Sequence, residues 1–263
     1  MRTRLLWRKA WLDTRWRFLI GLLVVVVAAC GVVFSYPRAL AVATAVEQSR
    51  LQFQGTGPVA QRLSEAFAVV KIYRSYVTTQ LFQQELPQMW CLFAMLLGAG
   101  GIVSQATRGG GLYTLSLPVS RQQIVAARAG VALLELLALA AVPAVIVTLL
   151  SPAVDQSYSL ADGLVHAALL FGGGAVFFSF TFLMSSIFTD IWRPPAIMAA
   201  LFFIIATIRM LSPGFTRFTL APVITGASYF ATGDVPWTAL MLSVLTSTVL
   251  LFLAGRIVAR RDF

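Results

Sequence analysis

Between Arg17 and Arg38 lie twenty residues, FLIGLLVVVVAACGVVFSYP, without one charged side chain. Twenty helical residues rise about 30 Å, the thickness of a bilayer's hydrocarbon core. In lipid such a helix satisfies its own backbone, and a helix apolar on all sides needs no aqueous face. Five more mostly apolar stretches follow. The chain therefore reads as an all-α polytopic membrane protein, a single transmembrane domain over 1–263 with six transmembrane helices at about 18–36, 87–104, 121–150, 160–188, 194–211 and 237–257. Composition agrees: 59% of the 263 residues are hydrophobic and 11% charged, against about 25% charged in a soluble domain. Prolines mark the boundaries. Pro37 is predicted to end the first span, Pro87 to open the second, and Pro194 and Pro195 to open the fifth, where a missing N–H costs nothing. Pro143, inside the third, predicts a kink.

Twenty basic residues against ten acidic ones would suggest nucleic acid in a soluble protein. Here they border apolar runs, so topology explains them first and no nucleic-acid partner is expected. Thirteen of them fall on one side: Arg2, Arg4, Arg8, Lys9, Arg15, Arg17, Arg108, Arg121, Arg128, Arg193, Arg256, Arg260 and Arg261. The other side holds seven: Arg38, Arg50, Arg62, Lys71, Arg74, Arg209 and Arg217. The positive-inside rule then places both termini in the cytoplasm and makes the number of spans even. The start, with its long charged region and an apolar run continuing past Cys30 to Tyr36, reads as an uncleaved first span rather than a signal peptide.

Two connections carry helix-forming or helix-breaking patterns of their own. Segment 37–86 reads as an external helical hairpin turned by GTGP at 55–58. Segment 212–236, broken by Pro213, Gly214, Pro222, Gly226 and Gly233, fits an outer re-entrant or interfacial piece. Trp7, Trp11, Trp16, Trp90, Trp192 and Trp237 are expected at membrane–water interfaces, and the glycine runs at 98–101 and 171–175 as packing seams. Cys30 and Cys91 read as structural thiols. With a lone His166, the chain offers no metal-ligand cluster.

The cytoplasmic loop 105–120 is not an ordinary connection. Arg108 precedes Gly109, Gly110 and Gly111, which permit a sharp reversal; Leu112, Tyr113 and Leu115 follow as one or two turns of amphipathic helix. Leu117 before Pro118 stops that helix, and Ser120 with Gln123 forms a capping box that starts the third span just ahead of Arg121. Such a helix either dips its leucines among lipid headgroups or inserts as a small apolar plug into a cytosolic motor.

The run GGGLYTLSLPVSRQQIVAAR resembles the cytoplasmic loop of the ABC-2 family of ABC-transporter permeases, through Leu115, Leu117, Pro118, Val119, Ser120, Arg121 and Arg128. The family often has acidic residues before the loop glycine and Thr after it. Here those places read Gln105, Thr107 and Gly110, so what carries over is the position of the helix. RLLWRKAWLDTRWRF, within 1–17, looks like the family's amphipathic elbow helix, and VARRDF like its cytoplasmic tail. The resemblance implies a permease subunit exporting a substrate across the inner membrane of a prokaryote, with Arg108, Gly109, Leu112, Tyr113, Leu115, Leu117, Pro118, Ser120, Arg121 and Arg128 coupling it to an ATPase. It also implies two copies of a soluble ABC ATPase carrying the ATP and magnesium, and a second permease copy in a homo- or heterodimer. The chain itself has no G-x-x-x-x-G-K-[ST] phosphate loop and so cannot hydrolyse ATP by that motif; the resemblance implies a transport subunit that is neither an enzyme nor a cofactor binder.

Glu135 falls about 22 Å into the third span, near mid-bilayer, where a carboxylate is expensive unless paired, protonated or hydrated. It is the candidate for the translocation path, or else a hydrogen-bonded packing residue. His166 and Arg209 are expected near span ends, snorkelling outward. Two other classes of function stay in view: an ATPase-linked scaffold that moves a partner rather than a solute, and an intramembrane enzyme, for which one glutamate and one histidine are thin machinery.

Overall fold

The computed structural model describes residues 2–53, 68–100, 120–211 and 220–260. Every described element is helical. Four helices among them are long and apolar enough to cross a membrane, over Arg4–Gln48, Arg121–Val154, Leu160–Ile187 and Trp237–Arg260, and Arg193–Ile205 is a shorter apolar helix. The chain is therefore built as a multi-pass membrane protein.

The first element, α1 (Arg2–Phe53), is one helix of 52 residues, about 78 Å long. Two expected boundaries are absent from it. No break separates an elbow at 1–17 from the span after it, and Pro37 lies inside the helix rather than at its end. The reason is a buried stripe that keeps helical phase throughout: Leu6, Ala10, Thr14 and Phe18, then Val25, Ala29, Val32, Val33, Tyr36 and Ala43. An interior proline costs about 3 kcal/mol, and packing on both sides of Pro37 offsets that. The N-terminal segment lies along another helix instead of turning away from it.

Next come α2 (Tyr73–Val77), a π-helical segment (Thr78–Glu85) and α3 (Leu86–Gly98), which run on as one rod. Pro87 thus does not open a helix but lies within this rod. A proline ring collides with the carbonyl four residues back, and the wider π turn ahead of it relieves that collision. In π register residue 87 would donate to the Phe82 carbonyl, which Pro87 cannot do. The segments on either side of residues 54–67 are joined by a Lys71–Glu47 ion pair and by Tyr36 set edge-on to Tyr73, 4.8 Å between ring centroids.

The third long helix is α4 (Arg121–Leu150), followed by a 3-10 turn (Ser151–Val154) that Asp155 ends in left-handed conformation, φ 54°. The Ser120–Gln123 capping box forms in full at its start, and Pro143 is carried within the helix. The centre of the bundle is α5 (Leu160–Ile187), mostly buried, which packs on α3, α4, α6 (Arg193–Leu211), α7 (Ala221–Ile224) and α9 (Trp237–Arg260). Its Gly172–Gly174 run is the seam expected: a Cβ would come within 2.6 Å of Leu240 at Gly172 and 2.3 Å of Trp90 at Gly174. The short α7 and α8 (Ala227–Thr232) are separated by Gly226 and ended by Gly233, both at positive φ.

Trp90 corrects an expectation. It is fully buried, not at an interface, and its indole N–H donates to the Leu136 carbonyl at 2.9 Å. An indole can leave the interface when a carbonyl takes its one donor, and the glycine seam of α5 makes room for the ring. Trp7, Trp11, Trp16, Trp192 and Trp237 are exposed.

Candidate functional site

Of the residues expected to couple to an ATPase, Arg108, Gly109, Leu112, Tyr113, Leu115, Leu117 and Pro118 lie outside the described residues. Ser120, Arg121 and Arg128 are described, as is the last turn of α3 from which the loop leaves.

A helix ends with carbonyls that have no intrahelical partner and with the negative end of its dipole, so cations favour that place. At the end of α3 two guanidiniums take those carbonyls. Arg17, half-buried on α1, donates through Nη1 to the carbonyls of Leu96 and Ala99, both at 2.8 Å. Arg128, buried on α4, donates through Nη2 to the carbonyl of Gly100. Gly100 has φ 83°, the left-handed conformation in which glycine closes a helix C-terminus. A Cβ built there would lie 3.4 Å from Arg17 Nη2 and 3.5 Å from Arg128 Nη2, so the two charges converge on one residue. Asp13 on α1 attracts both. The start of α4, by contrast, is fixed locally: Ser120 accepts from the Gln123 N–H at 3.3 Å, and Gln123 Oε1 accepts from the Ser120 N–H at 3.2 Å.

At the residue after Asp13, inside the α1–α4 contact, the Thr14 hydroxyl donates to Glu135 Oε1 at 2.6 Å. Glu135 is 2% exposed and its Oε2 has no hydrogen-bond partner. The carboxylate thus faces a helix of its own chain. It also borders an open cavity of about 410 Å³, lined by Trp7, Trp11, Phe18, Val131, Leu134 and Ala138 with Arg8. Trp7 reaches into this contact because residue 130 is glycine; a Cβ there would lie 2.8 Å from the Trp7 ring.

At the far end of the bundle a second polar group gathers that the sequence did not announce. His166 is fully buried rather than snorkelling. It sits between Phe82 and Phe230, ring centroids 5.0 and 5.8 Å away, with the backbone carbonyls of Phe82 and Ile224 as its polar neighbours and neither nitrogen in full hydrogen-bond geometry. The Phe82 carbonyl is the one that Pro87 cannot satisfy. Tyr158 stacks on Phe82 at 5.6 Å, and burial pushes its hydroxyl up to about 12. Outside these, Asp162 accepts from Arg74 at 2.9 Å and from the Tyr229 hydroxyl at 3.2 Å. The side chain of Arg209 lies outside the described residues.

Sequence reasoning marked Arg128 and Glu135 but missed Arg17, Asp13 and Thr14. Their signal was an i, i+4 polar pairing, Asp13–Arg17, inside a segment whose tryptophans suggested a surface helix. No protein-family model, no curated protein and no solved structure matches this chain.

Proposed function

We propose that this chain is the permease subunit of an ABC-2 type transporter, exporting a substrate across the inner membrane of a prokaryote and driven by a separate ATPase. In this reading six spans cross the membrane, with α3 and α6 completing the four longer helices, and both termini face the cytoplasm. A dimer of permease chains, homo- or heteromeric, engages two ATPase subunits through residues 109–118, and ATP with magnesium binds to those subunits. The observation that carries the reading is the resemblance of residues 115–121 and Arg128 to the family's loop. The geometry around the loop is compatible with it: α3 ends and α4 begins on firmly held residues, so force applied between them would pass directly into two long helices.

The test is recovery of a soluble ATPase with the tagged chain from native membranes in mild detergent, identified by mass spectrometry. The reading requires a Walker-A ATPase with wild type and its loss when Leu115 and Leu117 are both changed to Asp, while the variant still inserts. No ATPase with wild type, or equal recovery with the double variant, overturns it.

A further inference from the structure

The last turn of α3 is held by side chains from α1 and α4 at once, and the α1 contribution comes from a residue 79 positions away in sequence. Ordinary helix ends are closed by their own next residues or by water. Here Gly100 provides the turn, yet the Leu96 and Ala99 carbonyls are given to Arg17, and the Gly100 carbonyl to Arg128. Two like charges this close repel, so convergence on Gly100 is stable only because carbonyls and Asp13 compensate both. The arrangement fixes three helices to one point. α1 cannot slide along α4 without pulling Arg17 from the α3 carbonyls, and α3 cannot shift without leaving Arg128.

We infer that Arg17 is a positioning residue for the ATPase-coupling loop: together with Arg128 it holds the α3 terminus in register with the start of α4, so that motion entering at the loop reaches α1 as well as the two helices that flank it. This rests on the transporter reading above. It assigns a role to a residue that lies outside the loop motif, within the segment expected to be a separate surface helix. A guanidinium suits the task because its fork reaches two carbonyls from one nitrogen and its charge meets the helix dipole. A lysine would keep the charge and three donors on one nitrogen, without the fixed planar geometry of the guanidinium.

The experiment uses the full chain in lipid nanodiscs, as wild type, Arg17→Gln and Arg17→Lys. Amide hydrogen exchange is followed over residues 96–100, and ATPase recovery from native membranes is measured alongside. Losing charge-assisted hydrogen bonds should speed exchange there about tenfold or more in Arg17→Gln, and ATPase recovery should fall about tenfold with it. Arg17→Lys should restore most of both, which a purely steric role would not allow. Unchanged exchange in Arg17→Gln overturns the inference. So does faster exchange with full ATPase recovery, which would make Arg17 a helix cap only. Should wild type recover no ATPase while exchange responds as expected, the transporter reading fails and the three-helix joint stands. If Arg17→Gln fails to insert, Arg128→Lys gives the same comparison at Gly100.

Discussion

The rod formed by α2, the π-helical segment and α3 meets buried polar side chains at both ends, and the two ends are built differently. At the loop-bearing end the groups are charged and matched: guanidiniums on the carbonyls of Leu96, Ala99 and Gly100, with Asp13 beside them. At the far end the interior groups are neutral and poorly matched: His166, Thr78 and Tyr158 lie among aromatic rings with nitrogens and hydroxyls short of hydrogen-bond geometry. Charge is tolerated inside a bundle only where its partners are fixed, because a low-dielectric interior magnifies both a good contact and a missing one. The first end is therefore directional, and the second is governed by shape.

That contrast sets the sizes of the expected effects. Arg128→Leu should be the most damaging, since it leaves the buried Gly100 carbonyl without its guanidinium. Removing a charged donor from a buried carbonyl costs about 1.5–3 kcal/mol, read as a lowered Tm in detergent. A change below about 1 kcal/mol would mean that the first end is as loosely matched as the second.

Alkali probes the far end. The Tyr158 hydroxyl is raised from the ordinary 10 to about 12 by burial. Below pH 10 it is neutral whether folded or unfolded and contributes no pH dependence. Above pH 10 the unfolded chain releases the proton more readily, so the folded state should lose stability as pH rises from about 10 toward 12. Tyr158→Phe should flatten that decline. A decline that is equally steep in the variant assigns it to other groups.

His166→Phe should have the smallest effect. Its nitrogens make no well-formed hydrogen bond and its ring is stacked among aromatics. An apolar ring of similar shape should then change stability by less than about 1 kcal/mol. A large loss would show that the Phe82 and Ile224 carbonyls hold the imidazole more firmly than the geometry gives, and the contrast between the two ends would disappear.

What could be read from the sequence was local. The Ser120–Gln123 capping box spans four residues, and the Gly172–Gly174 seam is contiguous, so each was visible without knowing the fold. What could not be read depended on distant partners. Pro37 looked like a helix end because proline is judged by its own turn, whereas the phase of the stripe from Leu6 to Ala43 keeps α1 whole. Trp90 looked interfacial because the Leu136 carbonyl that takes its N–H lies 46 residues away. Pro87 looked like the start of the second span because proline suits a first helical turn; that it follows a π turn inside a longer rod, with the Phe82 carbonyl facing another helix, required α5 to be in place. Glu135 was legible as an anomaly. Its partner Thr14 was not, since it lies 121 residues away, in a segment read as an elbow helix.

The most direct measurement places a photo-crosslinking amino acid at Leu115, on the loop, and in a second protein at Leu160, at the opposite end of the bundle. Irradiation of native membranes should give an adduct with a soluble Walker-A ATPase from position 115 and none from position 160. The absence of an ATPase adduct at 115, or the same adduct from both positions, would contradict the proposed docking of a motor at the loop-bearing end.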